Sequence, residues 1–346
     1  MSKMELMEEL CKADGISGFE KNVAEIVKRE LNRTCDKVEI DAFGNVIGQK
    51  GKGKVKMMIA AHMDEIGLMV KGINEKGFVN FVKIGGIDDR ILLSQRVVIK
   101  TKKGDVPGII GSKPPHLQKK EEIEKVIKYE ELFIDIGAKN REEAAARIEV
   151  GDQIVFEANY TKYNDDTVLA RAVDDRIGCY AMIKVMEKLS KNVNATVYAV
   201  GTCQEEVGLK GARVAAFRID PQYAFVLDTT IAGDTPQIKE TESILKIGAG
   251  PAITIAEAAG RGLISHPKVR EQIIAAAKKH NIPYQIDVVE GGMTDGAMIY
   301  MTREGIPTGV ISIPCRYIHT PSAMFSRKDV DNSVDLLVKT ISEFAP

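Results

Sequence analysis

Two adjacent carboxylates, Glu205 and Glu206, stand in the stretch Thr202-Cys203-Gln204-Glu205-Glu206-Val207-Gly208, directly after the apolar run 195–200. A run of that composition reads as a strand buried on both faces, and charged side chains are almost never buried unless they are paired or hold a metal. The same juxtaposition recurs. His62 and Asp64 follow the apolar run 57–61, Asp228 follows 223–227, and His319 comes shortly after 310–313. Asp174 and Asp175 open a helical pattern. Imidazole and carboxylate donors without a thiolate suit zinc, cobalt or manganese. Taking His62, Asp174, Glu206, Asp228 and His319 as ligands sets three carboxylates against the four positive charges of two divalent ions, and a hydroxide between the ions makes the site neutral. Glu205 is then left over. Asp64, two residues after His62, falls on the same side of an extended chain, where it can accept the second imidazole N–H. Singly, each residue has a plainer reading: a structural histidine, a solvated carboxylate, or, for Asp174 or Asp175, a helix cap. Their joint occurrence at the ends of successive strands favours a site.

Those residues need elements that carry them to one place. Beyond residue 163, helices at 175–189, 209–217, 267–280 and 328–344 alternate with strands at 195–200, 223–227, 284–289 and 307–313, and an earlier strand covers 55–61. This alternation predicts an α/β fold with a mostly parallel, helix-covered sheet, in which ligands bind beyond the carboxyl ends of the strands. Upstream, Ser2-Lys3-Met4-Glu5 has the form of a capping box before a short helix, 20–33 repeats apolar residues at helical spacing, and 38–40 with 46–48 reads as a hairpin turning at Gly44-Asn45. Between 67 and 163 the texture changes. Short alternating segments at 67–73, 78–84, 96–100, 132–136 and 153–156, separated by Gly-rich turns such as Gly85-Gly86-Ile87-Asp88-Asp89, predict a small β-barrel. Residues 113–131, opening on Pro114-Pro115 and dense in charge, read as an exposed, mobile loop. The expected organisation is a discontinuous catalytic α/β domain, 1–66 and 164–346, interrupted by an inserted β domain, 67–163.

Composition narrows the function classes. A chain of 346 residues exceeds what one core usually serves, and 44% hydrophobic with 28% charged residues is ordinary for a globular protein. A formal net charge of −1, with both signs mixed, argues against nucleic acid or an anionic membrane as partner. No run approaches the ~18 apolar residues of a membrane span, and the charged start MSKMELMEEL is unlike a signal peptide, so a cytoplasmic protein is expected. The five cysteines lack C-x-x-C spacing, which points away from disulfides and from a structural zinc site.

The motifs AHMDEIG (from Ala61), ARAVDDRIG (from Ala170), QEEVGLKGA (from Gln204), VLDTT (from Val226) and YIHTPSAM (from Tyr317) occur here in an order that closely resembles the tetrahedral (TET) dinuclear aminopeptidases. GSKPPHL (from Gly111) and GGMTDG (from Gly291) extend the resemblance over essentially the whole chain, with Met293 as a departure near the expected substrate site. The resemblance implies a zinc-exopeptidase-like fold. It implies that His62, Asp174 and Asp228 hold one ion and Asp174, Glu206 and His319 the other, with Asp174 bridging and Glu205 as general base. It also implies that the insertion is a dimerisation domain and that dimers build a hollow tetrahedral dodecamer. The expected reaction is hydrolysis of the first peptide bond of short peptides, with Glu205 moving the proton of a water polarised by two ions, zinc or cobalt and otherwise manganese. The alternative within hydrolases is a metal-dependent deacylase or carboxypeptidase with the same ligand order. A non-catalytic scaffold would not need all six residues, and a cellulase would need two carboxylates without metal.

Overall fold

The computed structural model describes residues 5–190 and 192–345. Its larger part is built on an 11-stranded sheet. At the centre, Thr196–Thr202, Lys56–His62, Tyr223–Ile231 and Thr308–Arg316 run parallel, as the helices between them require. Both flanks are antiparallel except for the parallel pair Ala252–Ala256 and Gln285–Val288. On one side lie Val46–Lys50 and Lys37–Ile40; on the other, Ala323–Ser326, Thr167–Ala170 and Tyr160–Lys162, with Ala252–Ala256 and Gln285–Val288 branching from Thr308–Arg316. The parallel arrangement expected from the sequence thus holds where helices cross between strands, and short strands not foreseen widen the sheet.

The central strands are buried on both faces, and their residues sort by period two. In Lys56–His62, Met57, Ile59 and Ala61 join one apolar core, while Met58 and Ala60 join another. Helices Val173–Lys188, Pro267–Lys279 and Arg327–Glu343 cover the first face, and Lys210–Ile219 covers the second. Leu6–Lys12 and Lys21–Leu31 also pack on the first core. Glu5 precedes Leu6–Lys12 without a side-chain cap, and the rest of the expected capping box lies outside the described residues.

Between Lys56–His62 and Thr167–Ala170 the chain forms a closed six-stranded antiparallel barrel from Gly67–Ile73, Val79–Ile84, Arg96–Thr101, Gly104–Gly111, Phe133–Asp135 and Gln153–Phe156. It has its own core, including Leu68, Phe81, Ile99, Ile134 and Ile154. Gly104–Gly111, in which Pro107 obscures the strand pattern, is the member not anticipated. The stretch 113–131 is exposed for most of its length and carries short helical turns, and its far end is anchored: Tyr129 packs on Phe81, with ring centroids 6.2 Å apart. Among the described residues, no helix is long and apolar enough to cross a membrane.

Candidate functional site

Strand register alone aligns much of the site. Thr202 stands opposite His62, and Val226 opposite Ala60, so Asp228 comes level with His62, inside a strand that runs on to Ile231 rather than ending at residue 227 as expected. His62 is 2% exposed, and its Nε2 lies 3.1 Å from Asp174 Oδ1, 3.9 Å from Asp228 Oδ1 and 4.0 Å from Glu205 Oε2. His319 arrives from the loop after Thr308–Arg316, with Nε2 3.3 Å from Asp174 Oδ2 and 3.5 Å from Glu206 Oε2. The two oxygens of Asp174 therefore face two different imidazoles. Potential ligand atoms fall into three close groups: His62, Glu205 and Asp228; His62, Asp174 and Glu206; and Asp174, Asp175 and Asp228.

The paired aspartates divide their roles. Asp174 and Asp175, joined by a cis peptide, have non-helical backbone angles at the start of Val173–Lys188. Asp175, fully buried, accepts from the amides of Gly178 at 3.1 Å and His62 at 3.2 Å. Asp175 thus caps the helix and braces the strand end, while Asp174 faces the histidines. The neighbouring Arg176, also fully buried, donates to the carbonyls of Met63 and Leu10 and so clamps the chain just past His62.

Asp64 does more than its spacing suggested. The nearest oxygen to His62 Nδ1 is its backbone carbonyl at 3.1 Å, with Oδ1 at 3.5 Å. Its buried carboxylate accepts from Ser17 Oγ at 2.6 Å, Glu205 N at 3.0 Å and Glu206 N at 3.2 Å. Burial alone would raise its pKa, but His62 and these donors hold it below the usual carboxylate range. One side chain thereby fixes the backbone of both glutamates. Asp64→Asn turns an N–H group toward donors and should weaken metal retention ~10- to 100-fold in chelator competition, with a lower melting temperature; unchanged retention would reduce Asp64 to a structural residue.

At Asp174 burial is outweighed by His319 and His62, which hold it below the usual carboxylate range, whereas Asp228, Glu205 and Glu206 show the strain of a negative cluster out of water. Burial raises Asp228 well above its ordinary value, with Asp175 and Asp174 adding to it. Burial likewise raises Glu205, opposed by His62 and reinforced by Asp295, and lifts Glu206 to about 7. For His319 burial disfavours the charge, yet Asp174 and Glu206 outweigh it and raise the imidazole to about 9. Glu206 Oε1 is buried without a hydrogen-bond partner. Clustered carboxyls, an orphaned oxygen and imidazole nitrogens converging on them fit divalent cations.

Sequence reasoning passed over two neighbours. Asp295, in GGMTDG, is 1% exposed and accepts from Thr202 Oγ1, the hydroxyl at the end of the Glu205 strand; burial raises it to about 6. The carbonyl of Gly86 accepts from His319 Nδ1 at 2.8 Å. The double glycine was the only local signal for the second. A cavity of about 990 Å³ opens over the cluster, lined by His62, Glu205, Asp228 and His319 at one end and by Asp287 and Met293 further out.

The sheet thus gathers histidines and carboxylates beneath such a cavity, with a barrel inserted in the chain. Residues 44–336 match the M42 glutamyl aminopeptidases, and the chain belongs to that family. It is 35% identical to the lysyl aminopeptidase of Pyrococcus furiosus, over 100% of this chain and 99% of that one. Among solved structures it is similar to aminopeptidase APDkam598 from Desulfurococcus kamchatkensis, with 43% identity, a TM-score of 0.93 and coverage of 98% and 94%. It is also similar to the TET1 peptidase of Pyrococcus horikoshii, which can assemble into a tetrahedron or a large octahedral shell, with 34% identity, a TM-score of 0.87 and coverage of 98% and 100%.

Proposed function

We propose that this chain is a dinuclear aminopeptidase that removes amino-terminal residues from short peptides. The observation that carries the reading is Asp174: its two oxygens lie 3.1 Å and 3.3 Å from Nε2 of His62 and His319, so this one carboxylate would serve two cation positions. His62 and Asp228 would complete one site, and Glu206 and His319 the other. The donor set suits zinc or cobalt, and manganese next. When bound, two such ions supply Lewis acidity toward a peptide carbonyl and a water. Glu205, 8% exposed and held by Asp64 through its amide, takes the proton of the attacking water on its carboxylate and returns it to the departing amine.

The barrel, within residues 67–163, serves in this reading as the dimerisation module. Its independent core and the exposed Leu93, Ile109 and Val150 support that role. Dimers then close into a tetrahedral dodecamer, a reading supported by the P. horikoshii relative, which can assemble into a tetrahedron, and a closed shell admits peptides rather than folded proteins.

Metal analysis of active protein, joined to a substrate panel, tests the reading. Two ions per chain are expected at saturation, chelation should abolish activity, and amino-acid anilides should be cleaved while N-acyl amino acids and carboxyl-terminal residues are not. One ion at saturation defeats the dinuclear assignment, and cleavage confined to N-acyl amino acids or carboxyl-terminal residues would favour the deacylase or carboxypeptidase alternative.

A further inference from the structure

The two histidines of the cluster are held differently. His62 ends a central strand, is 2% exposed and is braced from its own chain through Asp64 and Arg176. The His319 side chain is 41% exposed, on a loop where His319 itself has φ +58° and Tyr317 φ +62°. The loop's own bonds, from Thr320 Oγ1 to the Tyr317 carbonyl and from the Ser322 amide to Thr320 Oγ1, do not reach the ring. The ring's anchor comes from the barrel, 233 residues earlier, where the Gly86 carbonyl accepts from Nδ1 at 2.8 Å.

That turn is itself fixed. Ile87 is buried in the barrel core, Lys83 Nζ donates to the Ile87 carbonyl at 2.8 Å and to Asp89 Oδ1 at 2.7 Å, and the Asp88 side chain caps the following helical turn. It also needs the space of two missing side chains. A Cβ on Gly86 would stand 3.0 Å from His319 Nδ1 and 3.4 Å from Cε1. A Cβ on Gly85, whose φ is +85°, would stand 2.8 Å from Ile66 Cγ2 and 3.3 Å from Glu206 Oε2.

We propose that the Gly85-Gly86 turn of the barrel is a positioning element for the cation site formed by Asp174, Glu206 and His319. Its carbonyl accepts from Nδ1 of His319, which leaves Nε2, lying beside Asp174 and Glu206, to offer its lone pair to the cation those carboxylates would hold. A neutral imidazole has one donor and one acceptor nitrogen, and the bond made by one decides which the other is. The inserted barrel thereby completes the metal centre as well as any interface it forms. This inference rests on the dinuclear reading above.

Gly86→Ala tests it, because alanine is compatible with that backbone and the intruding methyl meets the ring. Metal-free protein is titrated with zinc or cobalt by calorimetry, with Gly72→Ala as control: Gly72 lies in a barrel strand, and its added Cβ meets nothing within 4 Å. The wild type and Gly72→Ala should bind two ions, and Gly86→Ala should bind the first unchanged and the second ~10- to 100-fold more weakly. In a His319→Ala background, Gly86→Ala should cause no further loss. Two ions at wild-type affinity in Gly86→Ala, or an undiminished extra loss in the His319→Ala background, overturns the proposal. Uptake of one ion by the wild type overturns the dinuclear reading instead. A further measurement needs no Gly86 variant: imidazole ¹⁵N shifts in zinc-loaded wild-type protein, assigned by their disappearance in His319→Ala, should show the His319 proton on Nδ1 alone, and a proton on Nε2 overturns the assignment.

Discussion

Glu205→Gln should keep both ions and lose ~10²- to 10⁴-fold in kcat, the usual worth of a general base. Glutamine preserves size and hydrogen-bonding shape and removes only the proton acceptor. Glu205 and Glu206 are adjacent, yet their side chains serve different neighbours: Glu205 Oε2 is 4.0 Å from His62 Nε2, and Glu206 Oε2 is 3.5 Å from His319 Nε2. Glu206→Gln should instead loosen one ion, because a neutral amide replaces an anionic ligand beside a cation. Excess metal should partly restore that variant and leave Glu205→Gln unrescued. Metal content and kcat measured for both variants settle the roles. Because Glu205 also lies in one ligand group with His62 and Asp228, the informative failure is specific: if Glu205→Gln loses an ion while Glu206→Gln keeps two, the assignment is reversed.

The largest loss of metal is expected from Asp174→Asn. This carboxylate faces both histidines, so its charge acts on both cation sites at once. At ~4 Å and an effective dielectric constant of about 20, one unit charge attracts each divalent ion by ~8 kcal/mol, about 10⁵- to 10⁶-fold in each affinity before the carboxylate's own desolvation is counted. Protein passed through metal-free buffer should therefore emerge with neither ion and without activity, where Glu206→Gln retains one. Retention of one tight ion by Asp174→Asn would show that the carboxylate serves a single site.

What the sequence disclosed followed period and order. Strands buried on both faces announce themselves as unbroken apolar runs, so Lys56–His62, Thr196–Thr202 and Tyr223–Ile231 could be located, and with them His62, Glu205, Glu206 and Asp228, although the polar Asp228-Thr229-Thr230 concealed that the last of these strands runs on to Ile231. The barrel showed in its short alternating segments. Strands of four or five residues such as Thr167–Ala170, Ala323–Ser326 and Ala252–Ala256 are too short for alternation to separate them from loop. Local sequence does not separate Asp174, which faces the histidines, from Asp175, which caps the helix, since both are aspartates; the family resemblance is what singled out Asp174. The supports were hidden by distance along the chain: Asp64 reaches amides 141 and 142 residues away, and Gly86 reaches His319 across 233. No local pattern encodes such bonds.

The barrel's place in the chain also bears on how the sheet is reached during folding. The pairing of Lys56–His62 with Thr196–Thr202 joins strands 140 residues apart, and parallel pairing at such separation is slow because the loop must close before any contact rewards it. Most of that loop is the barrel, whose strands pair only with one another within one unbroken stretch of chain. Once folded it is a compact unit between the connections 63–66 and 157–195, so the span left to close is roughly threefold shorter and the closure entropy falls by about 1 kcal/mol. The insertion that separates the halves of the catalytic sheet in sequence thus shortens the search by which they find each other.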